Sequence, residues 1–156
     1  MAGILALDLG SQRTGWAVGA GFTPVKSGVW GLGGCPSAYW RLQDWLSSIY
    51  GKQWLFDVVS IEAPLRCRSY ARSWDAVRAA CGLAGVVEGW ADQRNLVFVE
   101  IHPAEIKRRA TGNPVAPKED VLSSAVSDSG HSMASADEAD AYWLWHVVND
   151  KLRCNT

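Results

Sequence analysis

Two short hydrophobic runs that each end on a carboxylate constrain this chain most. The first run, residues 4–7, ends at Asp8, and the second, residues 57–61, ends at Glu62. Runs of this length and composition predict buried strands. If the two strands are neighbours in one sheet, the backbones at Asp8 and Glu62 lie about 5 Å apart, because adjacent strands have that spacing. Carboxylates this close repel each other unless protons or cations neutralise them.

A later segment adds two further acids. Ser135 and Glu138 form a capping-box pattern, which predicts a helix that begins near Ala136. The face expected to pack on the rest of the protein carries Asp137, Asp140, Ala141, Leu144 and Val148. The acids of its first turn therefore point toward the domain. Glu138 lies off this face, so we interpret it as the capping residue and not as a ligand.

Carboxylates gathered at one place are usually neutralised by a hard divalent ion such as Mg²⁺ or Mn²⁺, which prefers oxygen ligands. The sequence therefore predicts a metal site walled by carboxylates, with in-line attack on a phosphodiester as its chemistry. Each acid also has a simpler interpretation. Asp8 could open a turn, Glu62 could end a strand at the surface before Pro64, and the helix acids could complement the helix N-terminus.

Length and composition limit the class of protein. The 156 residues predict a single domain, 1–156, and 20% charged with 48% hydrophobic residues excludes a disordered chain. Neither a signal peptide nor an apolar stretch of the roughly 20 residues that span a bilayer is expected. The four cysteines, at 35, 67, 81 and 154, lack the paired spacing of a zinc site. They predict reduced thiols in a cytoplasmic protein.

The basic residues fall into two groups although the net charge is only −1. One group follows Glu62 and contains Arg66, Arg68, Arg72 and Arg78. The other contains Lys107, Arg108, Arg109 and Lys118. Such groups are often solvated helix faces, but next to the candidate acids they could instead grip phosphates of a nucleic acid. The nine tryptophans have no repeat period and predict mainly packing.

The chain alternates between predicted strands and helices. Strands are predicted at 3–9, from 14, at 25–32, at 55–62 and at 96–101, and helices at 36–50, at about 68–91, after Pro103, near Lys118 and from Ala136. This order predicts an α/β fold with a five-stranded mixed sheet covered by helices on both faces. The first three strands would be antiparallel and the last two parallel. Right-handed crossovers would place the fourth strand beside the first.

Four motifs together resemble one family. They are residues 8–18, residues 61–64, a basic segment with residues 103–107, 112 and 116–121, and residues 137–141. In this order and at these distances they are similar to the motifs of RuvC-type Holliday-junction resolvases, which are members of the ribonuclease H-like superfamily. The resemblance covers nearly the whole chain. The high tryptophan content of the chain is more typical of a phage-encoded or divergent member of this family than of a bacterial housekeeping one.

The resemblance implies a ribonuclease H-like fold and an endodeoxyribonuclease that cuts four-way or other branched DNA in recombination and repair. Two Mg²⁺ or Mn²⁺ ions would be held by Asp8, Glu62, Asp137 and Asp140. Lys107 and Lys118 match lysines that contact the scissile phosphate. Family members are homodimers, and a two-fold axis suits a junction. The resemblance also implies location in a bacterial cell or a phage-infected host.

Other functions remain open at this point. Sugar kinases and actin-like ATPases begin with a similar strand, turn and strand, but they need two such domains, which 156 residues cannot supply. A nuclease acting on RNA–DNA hybrids or flaps would use the same acids. A non-catalytic junction-binding protein would gain nothing from four acids that repel DNA.

A dimer interface is predicted on the helix after Glu62. Its face of small residues consists of Ala76, Ala79, Ala80, Leu83 and Val87. Small residues allow two helices to approach closely, and Trp74 or Trp90 could complete the contact. Alternatively, the same face packs on the protein's own sheet, as one stripe of a crossover helix must. Near this helix, Leu65 or Tyr70 occupies the place where family members carry an aromatic wedge.

Overall fold

A computed structural model describes residues 2–64 and 73–154. Its five strands form one mixed sheet in the order β3-β2-β1-β4-β5. They are β1 (Ile4–Asp8), β2 (Arg13–Gly19), β3 (Lys26–Gly31), β4 (Val58–Glu62) and β5 (Val97–Ile101). The first three strands pair antiparallel, whereas β4 pairs parallel to both β1 and β5. The predicted mixed sheet is confirmed, and so is the position of β4 beside β1.

Helices cover both faces of this sheet, as predicted. They are α1 (Ser37–Ile49), α2 (Trp74–Asp92), α3 (Pro103–Thr111), α4 (Lys118–Ser129) and α5 (Ala136–Cys154). One hydrophobic core lies between the sheet and the first two helices, and a second lies between the sheet and the last three. Eleven of the 19 residues of α5 are buried.

The two-residue period of a strand decides which core each side chain enters. On β1, Leu5 and Leu7 face α1 and α2, whereas Ile4 and Ala6 face α5. Asp8 continues the second series and therefore lies on the α5 side. On β4 the alternation places Val58 on that side as well, so Glu62 projects toward α5 from the neighbouring strand.

Two expectations from the sequence need correction here. The predicted interface on α2 is wrong for Leu83 and Val87, which are 1% and 0% exposed and belong to the core with α1. Trp90, at 2%, is buried in the same core. This stripe packs on the protein's own sheet, which was the alternative interpretation. The fourth strand is also shorter than predicted, because residues 55–57 lie outside it.

The tryptophans only partly follow the packing prediction. Trp45, Trp90, Trp143 and Trp145 are buried, but Trp30, Trp40 and Trp74 are exposed. Cys35, Cys81 and Cys154 are free and exposed. In the two described ranges, no helix combines the length and the apolar character needed to cross a bilayer.

Candidate active site

The register of the central strands sets Asp8 and Glu62 side by side. Leu7 of β1 pairs with Ile61 of β4, and each candidate acid is the next residue along its strand. Both strands run in the same direction, so both acids stand at the same carboxyl edge of the sheet. In open α/β sheets this edge is the usual place for ligand binding.

Helix α5 brings the second pair of acids to this edge. Its first turn lies against β2 at Gly15, the residue that pairs with Asp8 across the hairpin. A Cβ atom on Gly15 would collide with the Asp137 carbonyl oxygen, so only glycine permits this approach. Asp137 and Asp140 are three residues apart and lie on the same side of the helix. Both line the cleft that Asp8 and Glu62 line.

The predicted phosphate-binding lysines also reach this cleft. Lys107 lies in α3, whose N-terminus is formed by Pro103 and by His102, the ring of which accepts a hydrogen bond from the Ala104 N–H. Lys118 is the first residue of α4 and follows Pro117. Both ammonium groups act on the acids, because they lower the pKa of Asp140. Two cations and four carboxylates therefore share one cleft.

The cleft has a volume of about 350 Å³. Besides the six charged residues it is lined by Leu9, Gly10, Ala63, Pro64, Ala80, Ala84, Pro103, Ile106 and Val121. Sequence reasoning did not assign these nonpolar residues to the site. Their positions in the sequence could have indicated them, because they directly follow the two acidic strand ends or lie on helices α2, α3 and α4. They surround the acids with nonpolar surface, which reduces the hydration of the carboxylates.

The electrostatics of the cleft disfavour ionised carboxylates. Burial raises the pKa of Asp8 well above its usual range, and the charges of Asp140, Glu62 and Asp137 raise it further. Burial also raises the pKa of Asp140, to about 6, although Lys118 and Lys107 oppose this shift. The protein's own cations thus leave the acids incompletely neutralised.

Asp137 has a partner that the sequence did not reveal. The Arg13 Nε donates to Asp137 Oδ2 at a distance of 2.7 Å. Arg13 begins β2 and precedes Gly15 by two residues, so its side chain projects toward α5. The face of Arg13 depends on the register between β1 and β2. A sequence alone does not give that register to the residue.

The chemistry of the donors fits a hard divalent ion, since all four acids offer only oxygen. Their present arrangement does not yet enclose one. Across the part of the chain that the structure describes, no three His, Cys, Asp or Glu side chains are gathered tightly enough to hold a cation. The Asp137 carboxylate is turned to Arg13. An ion held by all four acids would need Asp137 to turn away from Arg13.

Glu138 has a larger role than capping alone. The Ser135 Oγ accepts from the Glu138 N–H at 3.4 Å, as the capping pattern predicts. The Glu138 carboxylate accepts from the Ala134 N–H and, at 2.6 Å, from the Ser27 hydroxyl of β3. The bond to Ser27 joins the start of α5 to the edge strand of the sheet. Glu138 is only 4% exposed, so its side of this contact is buried. Glu138 does not line the cleft.

Of the other predicted DNA-binding residues, the two that the structure describes, Arg108 and Arg109, do not line the cleft. The Arg109 Nε donates to Asp150 Oδ2 at 2.7 Å, and its guanidinium lies over the Trp143 ring. Both of these contacts of Arg109 are with α5, one in the middle of the helix and one near its end. Arg108 is exposed on α3. Arg66, Arg68 and Arg72, together with Leu65 and Tyr70, lie outside the described residues.

Comparison with known proteins gives two similar sequences. Both are crossover junction endodeoxyribonucleases RuvC, from two strains of Anaeromyxobacter dehalogenans. One is 32% identical over 144 residues and the other 33% identical over 147 residues. Each alignment covers 88% of this chain and 75% of the relative. No family model matches the chain.

Solved structures with the same fold are also found. Thermus thermophilus RuvC in complex with a Holliday junction substrate has a TM-score of 0.78 at 17% identity, with 100% of this chain and 98% of that chain covered. Thermus thermophilus RuvC in a second structure has a TM-score of 0.73 at 18% identity, covering 99% and 97%. The fowlpox virus Holliday junction resolvase has a TM-score of 0.61 at 12% identity, covering 96% and 99%.

Proposed function

Because the chain belongs to the RuvC family of crossover junction endodeoxyribonucleases, we propose that it hydrolyses phosphodiester bonds at four-way DNA junctions. The observation that carries this proposal is the shared cleft of Asp8, Glu62, Asp137 and Asp140 with Lys107 and Lys118. A protein that only bound junctions would gain nothing from four acids set against phosphates. The fold similarity to a RuvC bound to a junction supports the same substrate class.

The four acids would hold Mg²⁺ or Mn²⁺. Two bound ions would supply an activated water as nucleophile and would stabilise the departing 3′ oxygen. Burial, together with the neighbouring acids, raises the pKa values of Asp8 and Asp140, so their ionised forms are unfavourable without a bound cation. A divalent cation would relieve that repulsion, which favours its binding at this place.

Lys107 and Lys118 would act on the substrate. Lys107 is on α3 and Lys118 begins α4, and both line the cleft with the four acids. A scissile phosphate bound in the cleft would meet both the ions held by the acids and the two lysines. The lysines would stabilise the negative charge that develops on the phosphate in the transition state.

Paired cuts in a four-way junction require two such sites, so we propose a homodimer. An interface on α2 would use residues other than Leu83 and Val87, which are buried in the core. Gly85 lies on the exposed side of α2, where an added Cβ would meet open space. Light scattering measures the oligomeric state of the Gly85→Arg variant, which should be monomeric if this side of α2 forms the interface. Ser127→Arg, at an exposed position of α4, is the control and should not change the oligomeric state. A parent that is monomeric at micromolar concentration and still makes paired cuts would overturn the dimer.

The substrate is tested by side-by-side cleavage in Mg²⁺ of labelled four-way junctions, flaps, Y-shaped DNA and RNA–DNA hybrids. The proposal expects symmetric incisions in opposing strands of the four-way junction and much slower cleavage of the others. Asp8→Asn protein serves as the control for contaminating nucleases. Preferential cutting of hybrids or flaps would replace junction resolution by one of the alternative nuclease functions.

A further inference from the structure

Arg13 is a cation that contacts a candidate metal ligand, Asp137. Its Nε lies 2.7 Å from Asp137 Oδ2, and the side chains of Arg13 and Asp137 are 61% and 23% exposed. Arg13 therefore contacts an acid of the cleft while most of its own side-chain surface faces water. Its carboxylate partner is more enclosed.

Two contacts fix the helical turn that carries Asp137. Gly15 lies directly under Asp137, which fixes the start of α5 over β2. Arg13 is two residues before Gly15 and shares its face of the strand. Glu138 ties the same helical turn to Ser27 on β3. Asp137 can thus change its partner by side-chain rotation, with the helix remaining where it is.

Two other ion pairs of α5 provide a comparison. Asp150 accepts from Arg109, and Lys151 lies 2.7 Å from Glu105. Both connect α5 to α3 near the end of the helix, three to four turns away from Asp137. They hold two helices together and do not include a cleft acid. The Arg13–Asp137 pair differs because its carboxylate belongs to the acidic cluster.

We propose that Arg13 is the resident counter-cation of Asp137, and that a divalent ion entering the cleft displaces it. This inference rests on the proposed function, since it requires the cleft to bind the ion. A guanidinium and a metal ion compete for the same carboxylate oxygen. An ion pair with a largely exposed arginine is weak, because solvent screens it. The pair therefore keeps Asp137 neutralised without preventing the exchange.

The inference predicts a metal affinity and can be tested without DNA. Mn²⁺ binding is measured from the electron paramagnetic resonance signal of free Mn²⁺ during titration of the full chain. Arg13→Gln should bind Mn²⁺ about three- to fivefold more tightly than the parent, which corresponds to the loss of one exposed competing ion pair. Arg13→Lys should fall between them, because it retains the charge and loses the geometry of the guanidinium.

The matched control is Lys151→Gln, which removes the same charge and also breaks a 2.7 Å ion pair of α5. It should leave Mn²⁺ affinity within about twofold of the parent, because a charge many ångströms away is screened by salt. A second comparison separates direct competition from a general charge effect. In an Asp137→Asn background the Arg13→Gln substitution should no longer tighten binding.

The outcomes distinguish this inference from the proposed function. Parent protein that binds Mn²⁺, and loses it on Asp8→Asn, supports the cleft as the metal site whatever Arg13 does. Equal or weaker binding by Arg13→Gln then overturns the role of Arg13 alone. An undiminished gain in the Asp137→Asn background also overturns it. If neither the parent nor Arg13→Gln binds Mn²⁺, the metal site and the displacement both fail.

Discussion

Gly15 lies so close to the backbone of Asp137 that no other residue fits between the sheet and the first turn of α5. Since Gly15 also pairs with Asp8, one glycine sets the distance between the strand acid and the helix acids. The cleft therefore depends on the absence of a side chain at this position. Its four carboxylates come from three elements that meet there.

Gly15→Ala should move the start of α5 and open the acidic cluster. The added methyl group collides with backbone, which cannot rotate away, so we expect a loss of about 1–3 kcal/mol of unfolding free energy together with weaker Mn²⁺ binding. Gly31→Ala is the control, because a Cβ there meets nothing within 4 Å. Thermal unfolding and Mn²⁺ titration measure both effects. Parental Mn²⁺ affinity in Gly15→Ala would contradict this account.

The strand acids could be predicted from the sequence because two rules coincide at them. Each acid directly follows a short hydrophobic run, which predicts a buried strand that ends at the acid. A right-handed crossover then places the strands of Asp8 and Glu62 side by side. Asp137 and Asp140 followed from the helical period. These signals depend on local pattern and handedness, which a sequence carries.

The rest of the site depends on information that a sequence carries weakly. Whether Arg13 faces α5 is decided by strand register, where a shift of one residue reverses the face. The buried contact of Glu138 depends on the approach of β3 to α5. On α2, a stripe of small and large apolar residues could pack either against a partner subunit or against the protein's own sheet. The structure resolves this choice by burying Leu83.

Asp8→Asn should stabilise the metal-free protein at pH 8 while abolishing cleavage. Burial and three neighbouring acids raise the pKa of Asp8, so its ionised form costs stability that the neutral amide does not. Junction binding should be at least as tight as in the parent, because one negative charge near phosphate is removed. Differential scanning fluorimetry, gel shifts and cleavage assays measure the three effects. Cleavage above a few per cent of the parental rate would remove Asp8 from the site.

The stability of the metal-free protein should fall as pH rises from about 4 to above 6. Asp140 has a pKa of about 6 in the folded protein against 3.8 as its ordinary value. The folded state thus holds a proton that the unfolded chain has released, and this contribution is lost as pH passes the folded pKa. The effect has an upper limit of about 3 kcal/mol.

Denaturant unfolding in EDTA across this pH range measures the effect, and Asp140→Asn should flatten the curve. Stabilisation by added Mg²⁺ should show the opposite trend and grow with pH, since protons compete with the metal for the carboxylate. A parental curve that is as flat as that of Asp140→Asn would mean that Asp140 is not held in its protonated form.

Lys107→Ala and Lys118→Ala should each reduce single-turnover cleavage by about 100-fold or more, the loss typical of a contact that stabilises transition-state charge. Both lysines lie in the cleft beside Asp140. Lys151→Ala is the control, because Lys151 is paired with Glu105 and does not line the cleft. Rapid-quench measurements at saturating enzyme separate the chemical step from DNA binding. Small losses of equal size at Lys107, Lys118 and Arg108 would instead indicate a diffuse basic surface that only attracts DNA.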